Sequence, residues 1–313
     1  MPIRVERYRP ALAADWAQVL RHAKNGVFLF ERAFMEYHGD RFRDASLLAY
    51  EDDRAVALLP AAWVGVDAVS SHPGLTFGGL VLDRQLRGSQ ALAILAAMLA
   101  AWRDAGARSC TIKALPSLFA TYPAAEMEYA LWRAGFRLAR RDLSSVLPLA
   151  DRLPFNAAKL AGARKARKAG VLVAPVAVTD FHAVLSSVLR ERHGTDPVHS
   201  SAELALLESR FPDRILCRGA RVDGRIVAGA LVFAYRHVWH TQYLASTAEG
   251  RDAGALDLVV QALVEEACAQ GASHLSFGTS TADAGRTVNE GLLWQKESFG
   301  ARAVVHDFYE GAL

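Results

Sequence analysis

The sequence predicts a mixed α/β fold made of two similar halves, each a mostly antiparallel mixed sheet flanked by helices. Three observations support this prediction: an internal repeat, a hairpin-like pair of apolar runs early in each half, and a long helix leading into a strand later in each half. Hairpins join antiparallel strands, whereas a repeated βαβ wrap would alternate helix and strand strictly. The order of elements therefore favours a mixed sheet over a doubly wound parallel one.

Length and composition are those of a folded protein with two ordinary domains or one large one. The 313 residues are 52% hydrophobic and 22% charged, which excludes wholesale disorder. The longest apolar run, residues 91–102, is shorter than the roughly 20 residues that a membrane-spanning helix needs. The N-terminus lacks the apolar core of a signal peptide, and the three distant cysteines exclude a disulfide framework. We therefore expect a cytoplasmic protein with no membrane span.

The repeat is clearest where a long Ala/Leu-rich helix stops at a glycine and a strand follows. This pattern predicts helices over residues 90–104 and 256–270, stopped at Gly106 and Gly271, which lie 165 positions apart. A hairpin turn and a helix-to-strand segment recur at offsets of 171 and 163. Three such matches in the same order indicate duplication. We therefore predict two domains, residues 1–148 and 149–313.

The strands are predicted from apolar runs bounded by turn residues. The runs 46–50 and 56–60 flank one hairpin turn, and the runs 215–222 and 226–233 flank the other. A further strand is predicted over residues 239–246, where alternation would place His240, Gln242, Leu244 and Ser246 on one face and Tyr243 on the other.

Common nucleotide and metal motifs are missing from the sequence. No GxGxxG follows a predicted strand, no GxxxxGK[ST] occurs, and no HExxH is present. Dinucleotide and P-loop sites are therefore weak hypotheses, and we expect no metal.

The charge is modest overall but concentrated in one place. The formal net charge is +3, and one acid-free stretch carries five of the basic residues: Lys159, Arg164, Lys165, Arg167 and Lys168. Such a cluster suits a nucleotide diphosphate or a tRNA backbone. A solvated helix face is the alternative, and the cluster has no aromatic residue for base stacking.

A second candidate site lies between the strand 239–246 and the helix that follows. Arg251, Gly254 and Ala255 precede the helix N-terminus, where free N–H groups and the helix dipole favour phosphate. An ordinary polar loop capped by Asp252 is the alternative.

The C-terminal segment combines glycines, polar residues and one lysine beside packing residues. Gly278 and Ser280 end a predicted strand, and a helix carrying Lys296 follows. Glycine permits close approach of a ligand to the backbone, and a lysine there can hold a phosphate or a developing oxyanion. A solvated helix residue is the alternative for Lys296.

Residues 277–300 resemble the C-terminal signature of the Fem-like acyltransferases, the branch of the Gcn5-related N-acetyltransferase (GNAT) superfamily with two fused GNAT domains. The matching residues are Gly278, Ser280, Gly291, Lys296, Phe299 and Gly300. The basic stretch 164–171 is similar to the helix that opens the family's second domain. Residues 71–79 are similar to a first-domain segment of the subgroup linked to surface polysaccharides. The resemblance implies tandem GNAT-like domains, with the acyl donor in the second and the acceptor towards the first.

Two departures from the family pattern bear on the donor. Residues 251–256 match the GNAT acyl-CoA signature [Q/R]xxGx[G/A] except at the last position, where Leu256 stands. The helical arm of many peptidoglycan-bridge members has no room here, because a predicted strand follows the basic helix almost directly. The first departure leaves the acyl-CoA signature imperfect, which favours a non-catalytic protein, and the second argues against a tRNA-dependent member of that kind.

The resemblance implies direct attack of an amine on a thioester, with the donor bound by Arg251, Gly254 and Ala255. Its chemistry needs oxyanion donors, a base and an acid for the leaving thiolate. Lys296 would face the oxyanion and Tyr243 would protonate the thiolate, with core packing as the alternative for Tyr243. His72 is the first candidate base, because its turn-rich loop shows no packing pattern, with a structural loop histidine as the alternative. Glu290 is the second candidate.

Acceptor contacts are predicted in both halves. Phe77 and Gly78 lie in a glycine-rich stretch that could approach a planar or sugar ring, with a tight turn as the alternative. His199, Ser280 and Asn289 are the other candidate substrate-binding residues.

The sequence therefore predicts an N-acyltransferase that moves an acyl group from acyl-CoA to an amine. The expected acceptor is a nucleotide-linked amino sugar destined for a surface polysaccharide. One alternative is an aminoacyl-tRNA-dependent enzyme acting on a peptidoglycan precursor. The other is a non-catalytic tandem GNAT binding module. The sequence leaves the oligomeric state open.

Overall fold

A computed structural model of the protein describes residues 3–313, apart from the side chain of His193, and divides into two compact units. Unit 1 contains the described residues up to Asp142 together with 283–286 and 305–313. Unit 2 contains residues 143–282 and 287–304. The division falls within the strand Arg137–Pro148, at whose end we placed the domain boundary.

The first part of the chain supplies the hairpins and the long helix predicted for the first half. Its elements in order are β1 (Ile3–Arg7), α1 (Ala13–His22), α2 (Arg32–Met35), β2 (Leu47–Glu51), β3 (Arg54–Leu59), β4 (Ala62–Val64), β5 (Ala68–Ser70), β6 (Val81–Leu82), α3 (Gly88–Asp104), β7 (Ser109–Lys113), α4 (Glu126–Arg133) and β8 (Arg137–Pro148). One antiparallel sheet has the order β1-β2-β3-β6. Strands β4, β5 and β7 are not part of that sheet: β5 pairs antiparallel with β4 and parallel with β7.

The second part of the chain repeats this arrangement with longer strands. Its elements are α5 (Ala157–Lys168), β9 (Leu172–Pro175), α6 (Val178–His193), α7 (Ser201–Arg210), β10 (Ile215–Val222), β11 (Arg225–Ala234), β12 (Val238–Ser246), α8 (Ala248–Ala253), α9 (Ala255–Ala269), β13 (His274–Thr279), β14 (Thr281–Ala282), β15 (Thr287–Val288), α10 (Glu290–Glu297) and β16 (Arg302–Ala312). The sheet of unit 2 has the order β8-β13-β12-β11-β10-β9. Its ladders are antiparallel except for β12–β13, which is parallel. The predicted fold class, a mixed and mostly antiparallel sheet flanked by helices, is confirmed.

Helix α9 packs one apolar face into the core of unit 2. Its buried residues recur at the three- and four-residue spacing of a helix face: Ala255, Leu258, Val259, Val260, Leu263, Val264 and Ala267. They pack with Trp239 and Leu275 of the sheet and with α5. Each fully buried Leu or Val side chain stabilises the fold by about 1.5–3 kcal/mol. This packing fixes the start of α9 against the end of β12.

Strand β12 leaves its neighbour β13 after a short parallel ladder. The two strands pair only through Val238↔His274, Trp239↔Leu275 and His240↔Ser276, whereas β12 continues along β11 to Ser246. The pairs Leu231↔Tyr243 and Val232↔Thr241 leave Gln242 as a one-residue bulge. The strands therefore separate at the position of this bulge, and we call the gap the unit 2 split.

The bulge corrects the predicted faces of β12. An extra residue reverses the alternation of the strand beyond it. Trp239 and Leu244 consequently pack in the same core beside α9, although strict alternation placed them on opposite faces. The predicted grouping of His240 with Leu244 is therefore wrong.

No helix within residues 3–313 combines the length and apolar character needed to cross a membrane.

Candidate functional site

A cavity of about 480 Å³ lies at the unit 2 split. The end of β12, Phe277 of β13, helix α6, the start of α9 and helix α10 form its walls. Its lining includes the predicted donor residues Arg251 and Gly254 and the predicted oxyanion residue Lys296. The cavity thus joins the predicted donor loop and the predicted oxyanion lysine in one place.

Lys296 is buried at the end of β13. Its side chain is 4% exposed, and Nζ donates to the carbonyl oxygen of Gly278 at 2.9 Å and to that of Thr279. Burial lowers the pKa of this ammonium to about 8. An ammonium has three protons, so the two carbonyls orient the group and leave one N–H for the cavity. A buried cation held in this way suits a developing negative charge.

Helix α10 places Lys296 through a cap at one end and an aromatic anchor at the other. The side chain of Asn289 accepts the N–H of Leu292 at 3.0 Å and so begins the helix. Just beyond its end, the ring of Phe299 stacks on Phe277 with centroids 5.9 Å apart. Asn289 therefore serves as a helix cap, and its predicted role in substrate binding stays a prediction.

The predicted donor loop contains a short helix, α8. Gly254 follows α8 with φ +72°, and a Cβ there would lie 2.4 Å from the carbonyl oxygen of Gly162. Arg251 donates Nη1–H to the carbonyl oxygen of Ser246 at 2.9 Å. Ala255 is fully buried as the first residue of α9. The loop is therefore tightly folded against α5.

Several N–H groups of this loop are already bonded within it. Gly250 N–H is accepted by Thr247 Oγ1, and Gly254 N–H by the carbonyl oxygen of Arg251. The predicted role of the first N–H groups of α9 and of the Arg251 guanidinium in binding an anion therefore stays a prediction. Nearby, Lys159 and Asp257 both line the cavity and form an ion pair at 2.9 Å.

Tyr243 and His199 lie together on the α6 side of β12. Tyr243 Oη and His199 Nδ1 are 2.8 Å apart, and His182 Nε2 lies 3.0 Å from the carbonyl oxygen of His199. Burial raises the pKa of Tyr243, so its hydroxyl stays protonated at neutral pH. Neither Tyr243 nor His199 is among the described residues that line the cavity.

The two remaining candidates of unit 2 differ in accessibility. Ser280 is 1% exposed, and its Oγ has no hydrogen-bond partner among the described residues. Glu290 is exposed in the first turn of α10. Ser280 is thus a buried hydroxyl, whereas Glu290 is open to solvent.

His72 is buried inside unit 1. Its side chain is 4% exposed, its φ is +56°, and its ring stacks on His38 with centroids 5.5 Å apart. Burial, with His38 adding to it, lowers the pKa of His72 to about 3. A base works best with a pKa near the operating pH. His72 is therefore a weak base at neutral pH, and the loop that we expected to leave it accessible packs around it.

Phe77 and Gly78 are also interior residues of unit 1. The ring of Phe77 lies 4.6 Å from that of Phe119 and 5.3 Å from that of His306. A Cβ on Gly78 would fall 2.1 Å from the carbonyl oxygen of Ser71. Acceptor contact with Phe77 or Gly78 stays a prediction, and it requires this loop to open.

The cavity also contains residues that the sequence reasoning did not select. Arg192 of α6 and Trp294 of α10 line it, and both are exposed. Trp294 lies inside the C-terminal motif, close to Lys296 in sequence, and this position was a reason to select it as a candidate site residue. Nothing in the sequence around Arg192 indicated a functional role, because α6 comes next to the split only in the folded protein.

Within residues 3–313, no cluster of three or more His, Cys, Asp or Glu side chains has the arrangement of a metal site.

Comparison with known proteins identifies the type of domain. Residues 158–284 match the family model described as an acetyltransferase (GNAT) domain. A search of curated proteins finds no match to the sequence.

Three solved structures share the fold over nearly the whole chain. FemX is 12% identical, with a TM-score of 0.72, over 99% of this chain and 97% of that chain. L-PGS from Bacillus licheniformis is 12% identical, with a TM-score of 0.62, over 97% and 92%. The tandem GNAT protein from the clavulanic acid biosynthesis pathway is 11% identical, with a TM-score of 0.52, over 99% and 98%. The predicted Fem-like, tandem GNAT fold is confirmed.

Proposed function

Because residues 158–284 match a GNAT acetyltransferase domain and the whole chain has a tandem, Fem-like fold, we propose that the protein is an acyltransferase whose unit 2 transfers an acyl group from acyl-CoA to an amine. The cavity at the unit 2 split carries this proposal, because it joins a strand edge, the start of α9 and the Lys296 ammonium. We further propose that the amine belongs to a nucleotide-linked amino sugar used for a surface polysaccharide. That part rests on the resemblance of residues 71–79.

The proposed reaction forms a C–N bond and breaks a C–S bond at one carbonyl carbon. The neutral amine attacks the thioester, and the carbonyl oxygen becomes an oxyanion. Lys296 donates its remaining N–H to this oxygen while Gly278 and Thr279 hold its other two protons. Backbone N–H groups of β12 beyond His240, where pairing with β13 has ended, supply further donors.

Collapse of the intermediate expels the thiolate, which takes one proton, and the amine loses one. Tyr243, paired with His199, is the proposed acid, because its raised pKa keeps the proton available. Movement of Tyr243 towards the cavity is part of this proposal. Glu290 is the proposed base in place of His72, because it is exposed at the start of the helix that carries Lys296.

A second candidate donor is aminoacyl-tRNA, and two observations favour it. The loop around Gly254 uses several of its N–H groups internally, which leaves fewer for a pyrophosphate. In addition, the basic side chains of the last turns of α5 are exposed: Arg164, Lys165, Arg167 and Lys168. An exposed basic helix suits a phosphate backbone.

Thermal unfolding with and without ligand separates the two donors. We expect acetyl-CoA and coenzyme A to raise the melting temperature, because a ligand at 100 times its dissociation constant stabilises the folded protein by about 2.7 kcal/mol. Arg251→Ala should reduce the shift, and Arg103→Ala, an exposed arginine on α3, should not. Stabilisation by aminoacyl-tRNA alone would replace acyl-CoA with the second donor. No shift with either would contradict the proposed chemistry.

A further inference from the structure

Helix α10 has an exposed tryptophan and a buried lysine, which is the reverse of what a surface helix normally shows. Trp294 is 60% exposed and Leu292 is 37% exposed, whereas Lys296 is 4% exposed. A surface helix normally packs its apolar residues inward and leaves lysine in water. A local conflict of this kind is typical of a functional site. The burial of Lys296 is explained by the proposed reaction, and the exposure of Trp294 is not.

Trp294 lies at the cavity rather than on an arbitrary surface. It lines the same cavity as Lys296 and Gly291. Trp294 and Lys296 are two positions apart in the helix, a rise of about 3 Å along the axis. An exposed indole in the wall of a concave site offers a flat apolar face to a ligand ring.

Position along the cavity indicates which substrate this ring belongs to. The anion-binding groups at Arg251 and the start of α9 would hold the nucleotide end of the donor. Trp294 instead shares its helix with Lys296, where the reacting carbonyl would lie. A ring that stacks there therefore belongs to the molecule that carries the attacking amine.

We propose that Trp294 is the platform on which the pyranose ring of the amino-sugar acceptor stacks. This proposal rests on the proposed function and adds a binding residue to it. The C–H groups of a pyranose carry slight positive charge, which suits the negative face of an indole. Arg192, which is exposed and lines the same cavity, is available for an acidic group of the acceptor.

Calorimetric titration with UDP-glucosamine, UDP and glucosamine tests the platform without any acyl donor. We expect the wild-type protein to bind UDP-glucosamine more tightly than UDP. Trp294→Ala should weaken UDP-glucosamine by at least about tenfold and leave UDP within about twofold. Trp294→Phe should retain part of the affinity. Trp132→Ala is the matched control, because Trp132 is 70% exposed on α4 and does not line this cavity.

Three results would overturn the proposal. They are an unchanged affinity of Trp294→Ala for UDP-glucosamine, an equal loss for UDP, and no binding of UDP-glucosamine to the wild-type protein. An equal loss for UDP would mean that the platform holds the base rather than the sugar. Because no donor is present, failure of the acyl-CoA hypothesis would leave these titrations interpretable.

Discussion

The two halves of the chain differ in the strand that forms a parallel pair beside the long helix. In each half, a parallel pair of strands lies beside a long helix: β12–β13 with α9, and β5–β7 with α3. In unit 2, β12 continues past the pairing with one bulged residue and leaves a cavity. In unit 1, the corresponding strand breaks into β5 and β6, and residues 71–80 fold between them.

One lysine stabilises each arrangement, and it is partly buried in unit 1 and buried in unit 2. Lys113 donates to the carbonyl oxygens of Pro73 at 3.1 Å and Leu75 at 2.7 Å, both in the inserted loop. Lys296 donates to two carbonyls at the end of β13. Burial lowers the pKa of each lysine to about 8. A lysine ammonium bonded to two carbonyl oxygens therefore holds a loop in unit 1 and faces a cavity in unit 2. We infer that only unit 2 binds an acyl donor.

The largest expected effect is on catalytic activity, which should depend on Lys296 and not on Lys113. Lys296→Met should lower kcat by about 100-fold or more, since an oxyanion donor is lost, while the protein remains folded. In the wild-type enzyme, kcat should fall as the pH rises through about 8, because Lys296 then loses its charge. Steady-state rates and circular dichroism check both points. A wild-type kcat in Lys296→Met would remove this residue from the site.

Lys113→Met should instead act on stability. It leaves two carbonyls without their donor, at about 1–3 kcal/mol for each buried group. In the folded state the pKa is about 8, below the ordinary 10.5, so the unfolded chain binds more protons between these values. The unfolding free energy of the wild type should therefore rise relative to Lys113→Met by up to about 3 kcal/mol from pH 8 to 10.5.

Urea unfolding of both proteins at several pH values measures this difference. Lys296 is present in both, so its own titration cancels. If the difference in unfolding free energy between the wild type and Lys113→Met became smaller with increasing pH, the lowered pKa of Lys113 would be contradicted. A selective loss of kcat in Lys113→Met would contradict the assignment of the donor site to unit 2 alone.

The smallest expected effect concerns the glycines that precede or begin the two long helices. Gly254→Ala should destabilise the protein by about 1–3 kcal/mol and weaken donor binding, because φ is positive and Gly162 blocks the Cβ. Gly88→Ala is its counterpart at the start of α3, where nothing lies within 4 Å of the added atom. It should change stability by less than about 0.5 kcal/mol. Equal effects of the two substitutions, measured by thermal melting, would refute this contrast.

Features that depend on neighbouring residues in sequence were predictable. The turns between β2 and β3 and between β10 and β11 contain Asp52 and Gly224, both with positive φ, as tight hairpins require. Gly106 and Gly271 stop the long helices as the sequence indicated, again with positive φ. In each case one turn or one helix end determines the conformation.

Features that depend on distant packing were not predictable. A lysine in a short helix is ordinarily exposed, and only the end of β13 explains why Lys296 is buried. The sequence of the loop around His72 shows no packing pattern, but contacts with His38 and Lys113 hold it in the interior. The bulge at Gln242 depends on the ladder with β11. Sequence patterns therefore selected residues that line one cavity, but they did not predict the geometry of the split.

The return of the chain to unit 1 has a consequence for how the protein is made. Residues 308–312 of β16 pair with β7, so the sheet of unit 1 needs a strand from the far end of the sequence. Ribosomes add about 5–20 residues per second, so residues 3–142 wait roughly 10–30 s for that strand. Until then β7 has an open edge, which is a site for wrong pairing. Unit 2 needs no strand from beyond residue 304, so its sheet can close before that of unit 1.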